Sequence, residues 1–251
     1  MKIKTMVFDL DGTLAPAKDR PTSRMAELFV KLLKYYRIGI ISGASFEQFK
    51  EKFLSHLEGM NDTLYSRMLL LPTTGSVIYN YRNGQWYIVE ENFIPDEERN
   101  KIINVLDKAI DEFNVLRDPS FVNQIEDRRS QVTFSGCGQK ATTQQRATFD
   151  PDGSLRKKMR TWIAERVPDY DVRIGGSTSI DVTKKDMNKA TAVRRIIDLW
   201  DLRKSEVLFI GDAIYPDGND YSVLLSGLMT KLVRNELETE SWLENLLFAK
   251  T

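Results

Sequence analysis

Two carboxylates two residues apart, Asp9 and Asp11, close the apolar run Met6-Val7-Phe8 and lead into Gly12-Thr13-Leu14. The run predicts a buried strand. Residues i and i+2 of a strand face the same side, so both carboxyls can address one reacting centre as the chain leaves the sheet. One could attack and the other could move protons. Gly12 permits the sharp exit, and a carboxylate that accepts a phosphoryl group is an established covalent catalyst. An Asp-Gly turn after an edge strand is the ordinary alternative, and it asks nothing of the rest of the chain. Aspartyl-phosphate chemistry asks for a hydroxyl, a cation and a further carboxylate for a metal.

Distant segments offer those groups. The apolar run Val207 to Ile210 ends in Gly211-Asp212, with Asp217, Gly218, Asn219 and Asp220 in the following loop. If its strand neighbours the first, Asp212 joins Asp9 and Asp11 in a site suited to Mg²⁺, a hard ion that favours oxygen ligands and tolerates bound phosphate. Ser42-Gly43 ends another expected strand, where a hydroxyl and backbone N–H groups beside a helix start suit a phosphoryl group. Lys189, at an expected helix start, is the candidate cation.

The elements that must position these residues are legible as two patterns. Apolar strands at 6–9, 37–42 and 68–71 alternate with helices, one carrying Met25, Leu28, Phe29, Leu32 and Leu33 on one face and one opened by the capping box Ser45 to Gln48. That alternation predicts a parallel sheet, whose ligands bind at the carboxyl ends of strands. A hairpin at 76–81 and 85–90 about Asn83-Gly84 begins the second pattern. A helix over 96–113, strands at 121–126 and 131–135, a loop, a helix over 154–167 and strands at 171–174 and 179–183 continue it. The helix over 188–200 and the strand at 207–211 resume the first. The expected fold is therefore α/β: a Rossmann-like parallel-sheet core in 1–82 and 187–251, with an α+β cap inserted at 83–186. Hinges are expected near 81–84 and 183–188.

Composition narrows the class. The 36 basic and 36 acidic residues balance, so no basic excess points to nucleic acid. A single cysteine, Cys137, excludes an intrachain disulfide framework, and no run approaches the ~18 apolar residues of a membrane helix. A cytoplasmic protein, monomer or homodimer, is expected. His56 and Cys137 read as structural, and Trp86 and Tyr87 as strand packing. In Arg156 to Arg160, Met159 faces inward with Leu155, Trp162 and Ile163, leaving the charges as solvated surface.

Asp9-x-Asp11-Gly12-Thr13, Ser42-Gly43, Lys189 and Gly211-Asp212 with Asn219-Asp220 resemble, in order and spacing, the motifs of the haloacid dehalogenase superfamily. The subclass is the one with an α/β cap between its second and third motifs. Within it the chain resembles the eukaryotic-type phosphomannomutases and their bacterial relatives, through 39–47, 125–128, 174–182 and 211–220. The resemblance implies Asp9 as the nucleophile and Asp11 as the general acid/base. It implies Mg²⁺ on Asp9, the Asp11 carbonyl and Asp212, with Asn219 and Asp220 in support. Asp217 departs from the mutases, which have Pro-Gly where Pro216-Asp217 stands, and adds a carboxylate near the metal. Ser42, Gly43 and Lys189 would hold the transferring phosphoryl group. Arg128 and Arg146 would grip the distal phosphate of a sugar phosphate, and Ser179 and Asp181 would bind the sugar.

Two departures bear on the outcome. Gln139 stands where the mutases have a third cap arginine, and Lys18 where they have an arginine after the first motif. A mutase must hold a bisphosphate intermediate while it reorients, whereas a phosphatase needs only to admit water. Losing a charge-assisted hydrogen bond of about 1.5–3 kcal/mol favours release. The expectation is therefore a Mg²⁺-dependent sugar phosphatase, with phosphomannomutase as the alternative and a non-catalytic sugar-phosphate binding protein last.

Overall fold

The apolar run before Asp9 forms β1 (Thr5–Asp9), buried at every position, as a parallel strand covered on both faces must be. The computed structural model describes residues 2–17, 19–138, 140–175 and 177–249. After β1 come α1 (Ser23–Leu33), β2 (Arg37–Ile41), α2 (Phe46–Lys52), α3 (Asp62–Tyr65), β3 (Met68–Leu71), the single turn α4 (Pro72–Gly75), β4 (Val77–Arg82) and β5 (Gln85–Glu91). Then follow α5 (Asp96–Glu112), β6 (Ile125–Asp127), β7 (Gln131–Ser135), α6 (Thr143–Phe149), α7 (Ser154–Arg166), β8 (Tyr170–Gly175) and β9 (Ser179–Lys184). The chain continues through α8 (Lys189–Leu199), β10 (Val207–Gly211), α9 (Tyr221–Leu225), β11 (Met229–Leu232) and α10 (Glu236–Phe248). It divides into two compact units, Met1–Glu91 with Asn188–Thr251, and Asn92–Met187.

The first unit is built on a seven-stranded sheet in the order β11-β10-β1-β2-β3-β4-β5. The strands from β11 to β3 run parallel, and β4 and β5 are antiparallel additions. Strand alternation divides the core. Met6 and Phe8 pack with Met25, Phe29, Leu32 and Leu243 of α1 and α10, while Val7, Ile41 and Phe209 pack with Ala192, Val193 and Ile196 of α8. β1 pairs with β10 from Thr5↔Val207 to Phe8↔Ile210, and with β2 out to Asp9↔Ile41. The ends of these three strands therefore lie level, which is what Asp9, Ser42 and Asp212 require.

The second unit is a four-stranded antiparallel sheet, β6-β7-β9-β8. Val132, Phe134, Val172, Ile180 and Val182 on one face pack with Ile102, Leu106, Ile110, Met159 and Ile163 of α5 and α7. By alternation the other face carries Gln131, Thr133, Ser135, Ser179, Asp181 and Thr183.

Several expectations need correction. The insertion begins after Glu91 rather than at 83 and ends at Met187 rather than 186, because β5 pairs with β4 along its whole length and extends the first sheet. Asn83 and Gly84, at φ 50° and 80°, form that hairpin's turn and are no hinge between units. The strand expected at 121–126 shrinks to β6: Phe121 N–H bonds back to Asp118 O, and Asn123 is left-handed at φ 56°. The loop expected after β7 contains α6, opened by a Thr142/Gln145 capping box. Arg156 is not solvated; it is buried against Asp150, Nε to Oδ2 at 2.8 Å.

Candidate functional site

The carboxyl ends of β10, β1 and β2 bring together residues far apart in sequence. Asp9 is 4% exposed, and its Oδ1 lies 2.8 Å from Lys189 Nζ. Asn188 caps α8 and sets Lys189 at its first turn. The ammonium also donates to Asp220 Oδ1 at 2.6 Å and to Asn219 Oδ1 at 3.2 Å. Asp220 Oδ2 accepts from Ala213 N–H at 3.1 Å, so both its oxygens are engaged in fixing Lys189 and the loop after β10. Ser42 Oγ donates to Asp11 Oδ2 at 3.2 Å and accepts from Ala44 N–H at 3.0 Å. Gly12, at φ 80°, lies so close to Asp212 that a Cβ there would stand 2.6 Å from Oδ2. A side chain at that position would push the Asp212 carboxylate out of place.

Carboxylate oxygens of Asp9, Asp212 and Asp220 lie within 4.8 Å of one another, with one ammonium among them. Burial pushes the Asp9 carboxyl well above its usual range against the pull of Lys189, and Asp220 adds repulsion. Burial, and then Asp220, raise Asp212 as well. Burial works against the Lys189 ammonium, yet Asp9 and Asp220 outweigh it and hold its pKa above the ordinary lysine value. The cluster thus carries more acid than its lysine neutralises, and a hard divalent cation suits an all-oxygen set of this kind. Asp220 is occupied by Lys189 and Ala213, which leaves Asp9 and Asp212 as the carboxylates suited to such an ion. Asp217, exposed and left-handed at φ 71°, is outside the cluster.

The expected sugar and distal-phosphate residues fall in the second unit. Arg128, at the β6–β7 turn, pairs with Glu126, Nη2 to Oε2 at 2.7 Å. Asp181 Oδ1 accepts from Thr133 Oγ1 at 2.8 Å, and Thr133 accepts from Gln131 Nε2 at 2.8 Å. Ser179 and Asp181 both sit on β9, opposite Ser135 and Thr133 of β7. Arg146 lies half-buried on α6. Gln139 and Lys18 lie outside the described residues. Sequence reasoning passed over Gln131, Thr133 and Glu126, although the alternation of Gln131, Thr133 and Ser135 with Val132 and Phe134 marks one polar strand face. It also assigned no role to Thr13, whose Oγ1 donates to Asp212 Oδ1 at 3.5 Å.

A sequence model of the family described as eukaryotic phosphomannomutase matches residues 25–249. A phosphomannomutase of Schizosaccharomyces pombe is 28% identical over 234 residues, covering 88% of this chain and 86% of that protein. One of Encephalitozoon cuniculi is 29% identical over 236 residues, with 86% and 82% covered. Among solved structures, the Plasmodium falciparum IMP-nucleotidase superposes with a TM-score of 0.74 at 17% identity, over 99% of this chain and 69% of that one. A haloacid dehalogenase-like hydrolase from Bacteroides thetaiotaomicron gives 0.67 at 16% identity, over 98% and 100%. At these identities the superpositions establish the fold.

Proposed function

The chain belongs to the eukaryotic phosphomannomutase family, and from that premise we propose that it interconverts the 1- and 6-phosphates of mannose or a closely related sugar through phosphorylated Asp9. The observation that carries the reading is the buried Asp9–Lys189–Asp220 chain beside the Asp11–Ser42 pair. The family match, and relatives named phosphomannomutase over more than four-fifths of the chain, support isomerisation over the hydrolysis that the sequence alone favoured.

In the proposed reaction Asp9 attacks one phosphorus of the sugar 1,6-bisphosphate and the bond to that sugar oxygen breaks, leaving a sugar monophosphate. Transfer back to the other hydroxyl of a monophosphate regenerates the bisphosphate. Asp11 gives the departing oxygen its proton. Asp11 then takes a proton from the acceptor hydroxyl as that oxygen attacks the aspartyl phosphate. Lys189 balances the charge of the three phosphoryl oxygens, and the Ser42 hydroxyl with the N–H groups after it supplies neutral donors. Mg²⁺, held by Asp9, Asp212 and the Asp11 carbonyl, would neutralise developing phosphoryl charge when bound. In the second unit, Arg128 and Arg146 suit the distal phosphate as guanidinium forks, and Ser179 and Asp181 offer short directional partners to sugar hydroxyls.

Hydrolysis is the second reading, favoured by Gln139 where the family has a cap arginine. The two separate in one assay. Mannose 1-phosphate is incubated with Mg²⁺ and catalytic mannose 1,6-bisphosphate and followed by ³¹P NMR. Appearance of the 6-phosphate without free phosphate is expected. Stoichiometric phosphate with no isomer would overturn the mutase, and unchanged turnover in Asp9→Asn would overturn the mechanism itself.

A further inference from the structure

Immediately after β3 the chain makes a turn that its residue types disfavour. Thr73 and Thr74 are left-handed, at φ 48° and 57°, and Gly75 follows at φ 83°. β-Branched residues are genuine outliers in that region, and they persist only where the surroundings over-determine them. Here the surroundings are two parts of the candidate site. On one side Thr74 N–H donates to Ser42 O at 2.8 Å and Thr73 N–H to Ala44 O at 2.9 Å. The carbonyls on either side of Gly43 are thereby pinned, while Ser42 N–H donates to Leu71 O at 3.2 Å.

On the other side the turn abuts α8. A Cβ on Gly75 would lie 2.4 Å from Ala192 Cβ, and Gly75 O accepts from the Arg195 guanidinium. Ala192 follows Lys189 by one helical turn on the same face. From within, Ser76 Oγ donates to Thr73 O at 2.8 Å and braces the turn. Successive left-handed residues aim their N–H groups together at the Ser42 loop, and the missing Cβ of Gly75 lets α8 approach.

We propose that Thr73-Thr74-Gly75 is a rigid spacer that sets the separation between Ser42 and Lys189, the two groups placed on the transferring phosphoryl group. Its residues are positioning residues, and the spacer matters for turnover only if the aspartyl-phosphate reading above holds. Gly75→Ala adds a methyl that meets Ala192 and drives α8 from the turn, on top of a strain at φ 83° that the single and double variants share. Misplacement of this order costs on the order of 10²-fold in rate, here in single-turnover phosphorylation of Asp9 by mannose 1,6-bisphosphate. Adding Ala192→Gly gives the methyl room. The double variant should recover most of the rate while its thermal midpoint falls further, since an interior helix glycine destabilises.

A role in stability alone would make rate follow the midpoint instead. Should Gly75→Ala fail to fold, Ala192→Ser presses on the same stop from the helix side and should slow phosphorylation with the turn unaltered. A wild-type rate in the folded single variant, or a double variant as slow as Gly75→Ala, would overturn the spacer. Absence of any phosphoenzyme in the wild type would instead sink the functional reading. Crystal structures of the wild type and the variant would then decide the spacer: a widened Ser42 Oγ to Lys189 Nζ gap supports it, and an unchanged gap refutes it.

Discussion

Glu206 joins the starts of two strands that lead to the site. It accepts from Lys4 Nζ at 2.7 Å and from Arg203 Nη2 at 2.9 Å, and thus ties the start of β1 to the start of β10, the strands whose far ends carry Asp9 and Asp212. The hydrogen bond from Arg203, then that from Lys4, hold its pKa down to about 2 from an ordinary 4.5. The unfolded chain therefore binds this proton more readily than the folded one. The stabilisation is complete above about pH 4.5 and disappears as pH falls towards 2. Glu206→Gln should lower the urea midpoint at pH 7 and flatten its acid decline between those values; a decline as steep as the wild type's would place the acid sensitivity elsewhere. Asp9, Ser42, Lys189 and Asp212 were legible because each ends a strand or starts a helix, positions that local pattern marks. Asp220's bond to Lys189 was not, since it depends on how α8 meets the loop after β10, and short-range signals carry no such register.

α7 shows what an element owes to one residue. Asp150 accepts from the N–H groups of Leu155 and Arg156, both at 3.1 Å, and from Arg156 Nε at 2.8 Å. It therefore caps the helix and partners a buried guanidinium at once. Breaking a buried pair from one side leaves the other charge desolvated, at a cost of about 3–5 kcal/mol. Asp150→Ala should lose that much by denaturant titration, and a loss within ordinary surface values, below about 0.5 kcal/mol, would mean that water solvates Arg156. The run 154–166 read correctly as a helix from its apolar spacing. Of its charges Lys157, Lys158 and Arg160 are exposed as expected and Arg156 alone was misjudged, because a long side chain with a carboxylate at hand folds back where periodicity predicts solvent. β5 was misassigned for a related reason: a hairpin's sequence specifies its turn and its pairing but not the sheet that its first strand joins. α6 was missed although Thr142-x-x-Gln145 is a capping-box signal, because its seven residues are too few for a clear apolar stripe.

At the scale of the whole chain, the alternation of helices with apolar strands was enough to anticipate a parallel sheet interrupted by an antiparallel insertion, and only the junctions shifted. The reason lies in how the insertion closes on itself. Asn92 Nδ2 donates to Met187 Sδ at 3.3 Å, Lys184 Nζ donates to Asn92 Oδ1 at 2.9 Å, and Arg173 Nη1 donates to Met187 O at 3.0 Å. The two ends of the insertion thus meet, as termini of independently folding domains commonly do. It also has a core of its own, with Ile102, Leu106, Phe134, Met159, Ile163, Ile180 and Val182 all fully buried. At roughly 100 residues it exceeds the ~60 at which single domains become marginal. Residues 92–187 expressed alone should therefore unfold in one cooperative transition, and their amides in β7, β9 and α5 should exchange as slowly as in the intact protein. Hydrogen exchange of the two samples side by side checks this: uniform, fast exchange in the excised segment would show that its core depends on the rest of the chain.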